Sequence, residues 1–112
     1  MAEMTIRERV RVIERAMLVG NLPGARVREY LSVATALLGW CGRETVEADL
    51  AFKSFLAGCR RNLKTAAAAR MEAEDSPQYR RKLEAEAEQA NCEEIIRSLK
   101  VMLRSLNEEA RV

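Results

Sequence analysis

The stretch that decides the fold runs from Glu44 to Ala110: ETVEADLAFKSFLAGCRRNLKTAAAARMEAEDSPQYRRKLEAEAEQANCEEIIRSLKVMLRSLNEEA. Gly58 is its one glycine, and it is rich in alanine, leucine, glutamate and arginine, the strongest helix formers. Its interruption is Asp75-Ser76-Pro77. Ser76 suits an N-cap, and Pro77 suits the first helical position, where a missing N–H is harmless. The pattern predicts two long helices, 44–74 and 77–109, folded back on each other as a coiled-coil-like antiparallel hairpin. One continuous helix is the rival, and the proline argues against it.

The apolar positions support two helices. Ala48, Phe52, Phe55, Leu56, Cys59, Leu63 and Ala66 recur at helical spacing before the interruption. Tyr79, Leu83, Ala87, Ala90, Cys92, Ile95, Ile96, Leu99, Met102, Leu103 and Leu106 do so after it. Between them, Thr65–Ala73 is alanine-rich. It favours helix but can bury little area, as a frayed tip would.

Charge order supports a fold-back at Ser76. Acidic Glu72, Glu74 and Asp75 would then face Arg80, Arg81 and Lys82. Arg60, Arg61 and Lys64 would face Glu86, Glu88 and Glu93, and Glu44, Glu47 and Asp49 would face Arg97, Lys100 and Arg104. Exposed pairs are worth only about 0.5 kcal/mol each, so they set register more than stability. The same register puts Cys59 and Cys92 at one level, either as two small apolar residues in a tight core or as a redox clasp.

Ahead of the hairpin, two shorter helices are expected. Thr5 and Glu8 form a capping box, Ile6, Val10, Ile13 and Met17 mark one helical face, and Gly20 is a left-handed stop, giving a helix over 6–19. Asn21-Leu22-Pro23-Gly24 is a turn. A second helix, 25–40, carries Val27, Tyr30, Leu31, Ala34, Leu37 and Leu38, with Gly39 and Gly42 as its end. The expectation is thus an all-α single domain, 1–112, with an N-terminal helical pair (1–42) and a hairpin (43–112).

Composition excludes several functions. Hydrophobic residues make up 48% of the chain but aromatics only 4%, so the core must be thin. Nineteen basic groups against seventeen acidic give a net +2, too little to imply a polyanion partner by itself. Three cysteines without CxxC spacing, and an amino terminus (MAEMTIRERVR) without an apolar signal core, predict a reduced, cytoplasmic protein. The longest apolar run, Tyr30–Cys41, is about half of what a membrane span needs. There is no histidine, hence no imidazole base or ligand, and no phosphate-loop motif. No catalytic residue, cofactor or metal is expected.

Two features could bind. Residues 1–42 carry six arginines against four glutamates, and Arg7, Arg11 and Arg15 repeat every fourth position, with Arg26 and Arg28 nearby. Such a row is either a solvated face or a contact for nucleic-acid phosphates or an acidic protein patch. The apolar stripes are also wider than one hairpin partner can cover, which points to Leu37, Leu38, Trp40, Ile95, Met102 and Leu106 as an oligomer or partner surface. A homo-oligomer is expected, with docking of the first two helices on the hairpin as the alternative.

The runs Tyr79-Arg80-Arg81-Lys82-Leu83-Glu84-Ala85-Glu86-Ala87-Glu88, Ile96-Arg97-Ser98-Leu99-Lys100 and Leu103-Arg104-Ser105-Leu106 resemble small helical bacteriophage proteins, loosely those of the UvsY-type recombination mediators. The resemblance covers residues 50–111. It implies an oligomeric accessory protein contacting single-stranded DNA or its coating protein, with Arg97, Lys100 and Arg104 at the contact. The charge register above instead assigns these residues to Glu44, Glu47 and Asp49. The leading expectation is a non-enzymatic, phage-derived accessory protein that binds another macromolecule. Its other branch is an inhibitor or adaptor on a host protein. A sponge for a small anionic, nucleotide-like ligand on Arg7, Arg11 and Arg15 is a further alternative.

Overall fold

The computed structural model describes residues 4–63 and 65–110. Four α-helices make up the fold: α1 (Ile6–Val19), α2 (Gly24–Asn62), α3 (Ala66–Glu74) and α4 (Pro77–Ala110). They group into two compact units, Met1–Trp40 with Ala90–Val112, and Cys41–Gln89. No helix of the described residues is long and apolar enough to cross a membrane.

α1 follows its sequence signals. The Glu8 amide donates to Thr5 Oγ1 and the Thr5 amide to Glu8 Oε2, both at 3.1 Å. Two orphan donors of the first turn are thereby satisfied. Gly20, at φ +81°, ends the helix in a conformation that a Cβ would strain.

α2 departs from expectation. It is one helix of 39 residues that runs straight through Gly39 and Gly42, where an end was predicted. Val27, Ala34, Cys41 and Ala48 explain why. They recur every seven residues, and all four are buried. A continuous apolar seam of that period gives the helix a packing face before, between and beyond the two glycines, each of which costs only about 1 kcal/mol.

The break falls later, between Asn62 and Ala66, inside the predicted 44–74 helix. Thr65 adopts an extended conformation and its hydroxyl accepts from the Ala68 amide, starting α3 as an N-cap. Ser76 does the same for α4, accepting from the Tyr79 amide at 3.2 Å while donating to the Ala73 carbonyl. Pro77 opens α4 as predicted.

In the unit Cys41–Gln89, the partners of α2 run in reverse order. Tyr79 packs on Phe52 at 5.2 Å between ring centroids, Arg81 reaches Glu44 and Glu47, and Thr45 Oγ1 lies 3.4 Å from the Ala85 carbonyl. Cys59 already shares a cluster with Ala69 and Ala73, against which Phe52, Phe55 and Leu56 pack. The chain therefore reverses between α2 and α3, not at Ser76. That shift replaces the predicted charge pairs. Glu44 and Glu47 take Arg81, Asp49 takes Lys53 and Lys82 takes Glu86. The pairing expected for Lys64 lies outside the described residues.

The unit Met1–Trp40 with Ala90–Val112 joins α1, the first part of α2 and the second part of α4. Its core is Val10, Ile13, Val27, Ala34, Leu37, Cys92, Ile95, Ile96 and Leu99. Full burial of one such branched side chain contributes about 1.5–3 kcal/mol, so this core carries its helices without aromatic residues. The Cys92 thiol donates to the Ala34 carbonyl at 3.3 Å. Cys59 packs instead with Ala69 and Ala73, and all three cysteines are free thiols. The expected matching of Cys59 with Cys92 depended on the Ser76 register and goes with it.

Candidate interaction surface

α1 buries Val10 and Ile13 and turns Arg7, Arg11 and Arg15 outward. A rise of about 1.5 Å per residue spaces these positions by about 6 Å along the helix. Leu18, three positions after Arg15 on the same helix, is also exposed. Among the described residues, neither Arg11 nor Arg15 is held in an ion pair.

The other cations divide. Arg26 is paired with Glu29 at 3.3 Å, and Arg28 is exposed nearby. Arg97 is paired with Glu94 at 2.6 Å. Lys100 and Arg104 are exposed and line a shallow groove of about 320 Å³ with Leu103, Asn107 and Glu108. The acids once matched to Lys100 and Arg104 are Glu44, Glu47 and Asp49, and these are held by Arg81 and Lys53.

The expected apolar surface needs correction. Leu37 is 2% exposed and Ile95 5%, so both are core residues and not a partner face. Leu38 is half-buried. Trp40 is 46% exposed, with the Arg9 guanidinium 5.7 Å from its ring centroid. Met102 and Leu106 are half-buried and come together with Asn21, Leu22, Val101 and Ser105 around a groove of about 360 Å³. Sequence reasoning missed the most exposed apolar residues of this unit: Leu18 and Val19, each 85% exposed, and Val101, 61%. The signal was present. With Val10, Ile13 and Met17 facing inward, the helical period turns Leu18 and Val19 outward.

The shifted ionisations belong to surface ion pairs. A hydrogen bond from Arg81 holds the Glu44 carboxyl below its usual range, against a partial desolvation. Lys53 does the same for Asp49. The Lys82 ammonium is raised by its hydrogen bond to Glu86. Among the described residues, no three acidic or cysteine side chains lie together as a metal-binding group.

Comparison with protein-family models, with curated proteins and with solved structures finds no match to this chain.

Proposed function

We propose that this protein is a non-enzymatic helical accessory factor that acts by binding another macromolecule, with single-stranded nucleic acid as the partner. The observation that carries the reading is a set of exposed cations with no ion pair among the described residues: Arg11 and Arg15 on α1, and Lys100 and Arg104 on α4. Arg7 extends the first row and Arg97 the second. The charge register read from sequence had occupied the α4 cations with acids that bond elsewhere, so the main objection to a nucleic-acid contact is gone. Such a contact neutralises phosphates and releases counterions, and it needs neither a pocket nor a general base. A phage origin and a mediator-like role rest on the resemblance of residues 50–111, and a cytoplasmic location rests on the free thiols.

Fluorescence anisotropy with a labelled single-stranded oligonucleotide, repeated over a salt series, tests this. Each phosphate neutralised on a single strand contributes about −0.7 to the slope of log K against log salt. Replacing Arg7, Arg11 and Arg15 together by alanine should make the slope shallower by about 2. An absence of binding at low salt refutes the reading.

The exposed Leu18, Val19 and Val101 favour a second reading, in which this unit docks on a protein, either a host factor or another copy of the chain. Light scattering separates the two cases. A dimer or larger mass at micromolar concentration supports self-association, and a monomer leaves the face to a foreign partner.

A further inference from the structure

α3 lies over the most aromatic part of the chain, and its hold there is slight. Of its nine residues only Ala69 and Ala73 are buried, while the other seven are exposed. Beneath those two methyl groups is a row on α2 at spacing i, i+3, i+4, i+7: Phe52, Phe55, Leu56 and Cys59. This is the spacing with which a helix presents a packing face to another helix. Alanine fills it poorly. An open groove of about 760 Å³ remains beside α3, lined among others by Phe55, Cys59, Leu63, Glu72 and Gln78.

Local stability points the same way. A nine-residue helix is shorter than the length at which isolated helices become even marginally stable, so α3 depends on its docking. Its ends are both capped by side chains, Thr65 before it and Ser76 after it. These caps favour re-forming the helix after each opening.

We infer that α3 is a latch. It opens as a unit while α2 and α4 stay folded, and opening uncovers the Phe52–Phe55–Leu56–Cys59 row as a gated apolar face. Local opening of this kind occurs where buried apolar contact is sparse, and the alanine face of α3 is such a place.

Met71 gives a clean test because its side chain is largely exposed. Amide hydrogen exchange of the full chain should show Ala69–Glu74 exchanging at least about tenfold faster than the buried turns of α2 and α4. Met71→Gly should accelerate that exchange about fivefold, the equilibrium equivalent of glycine's helix penalty, whereas Met71→Ala should not. Pulsed alkylation with N-ethylmaleimide, read cysteine by cysteine by mass spectrometry, should show Cys59 accelerating by the same factor, with Cys41 and Cys92 unchanged. If α3 exchange rises while Cys59 labelling does not, α3 merely frays and uncovers nothing. Protection of α3 equal to that of α2, or parallel acceleration of all three thiols, would show that no separate opening exists. Equal effects of Met71→Gly and Met71→Ala would place the hold in the methionine side chain. Each of these four outcomes overturns the latch.

Discussion

The two compact units are built from different side chains. The unit Met1–Trp40 with Ala90–Val112 buries Val10, Ile13, Val27, Leu37, Ile95, Ile96 and Leu99, all branched aliphatics, beside Ala34 and Cys92. The unit Cys41–Gln89 buries Cys41, Ala48, Cys59, Ala69, Ala73 and Ala85, and its larger residues Phe52, Phe55 and Leu56 are only partly covered. Each buried leucine or isoleucine removes far more apolar area from water than an alanine does. Stability should therefore concentrate in the first unit, while the second is held by close approach and by ion pairs on its surface. Exposed Arg11 and Arg15 of α1 stand on the firmer scaffold, and the α3 latch belongs to the weaker one.

Deleting core atoms is the strongest way to break this contrast. Leu99→Ala, at a position with no exposure, should lower unfolding free energy by about 2–5 kcal/mol in urea titration. A loss under 1 kcal/mol would mean that the branched core is not where stability lies. Among the described residues the alanine unit has no large side chain as fully buried as Leu99, so it is probed by addition. Ala48 is fully buried, and Ala48→Leu should cost about 1–3 kcal/mol through overpacking. A neutral or stabilising leucine would instead show that the helices around Ala48 are loosely seated.

How far the sequence reveals this fold depends on which signals compete. α1 was legible because the Thr5–Glu8 capping box and Gly20 agree with the apolar period of Ile6, Val10, Ile13 and Met17. The start of α4 was legible for the same reason, since Ser76 and Pro77 have no other good use. The end placed at Gly39–Gly42 was an error of weighting. Glycine's cost was visible, but so was the seven-residue seam through Val27, Ala34, Cys41 and Ala48 that outweighs it. The break at Thr65 was hidden because four alanines follow it, and their propensity reads as continuation although threonine is a good N-cap. The exposure of Arg7, Arg11, Arg15, Lys100 and Arg104 could be read from periodicity. Which acids bond to which bases could not. Charges recur so often here that several registers pair acids with bases equally well, and moving the reversal from Ser76 to the connection between α2 and α3 reassigned Glu44, Glu47 and Asp49 together.

Continuity of α2 has a direct test with an opposite sign. A Cβ built at Gly39 or Gly42 would meet nothing within 4 Å, and neither glycine has positive φ. Gly39→Ala and Gly42→Ala should each stabilise the protein by about 0.4–1 kcal/mol, chiefly by restricting the unfolded chain. Either variant destabilising the fold would restore a helix end at that point.

The smallest effect concerns the ion pairs that tie the alanine unit's surface. Glu44 accepts from Arg81 Nε at 2.7 Å and from its Nη2 at 3.1 Å, and this hydrogen bonding lowers the Glu44 pKa. A carboxylate lowered on folding adds stability that is complete above its unfolded pKa, about 4.3 for glutamate, and is lost as pH falls through the lower folded value. Both side chains are more than a third exposed, so solvent screening limits the contribution to at most about 0.5 kcal/mol. Glu44→Gln should therefore lower the urea midpoint slightly at neutral pH and match the wild type once both folded and unfolded carboxyls are protonated. A gap that persists in acid would mean that Glu44 acts through packing rather than charge. That result would move part of this unit's stability from its ion pairs back into its thin core.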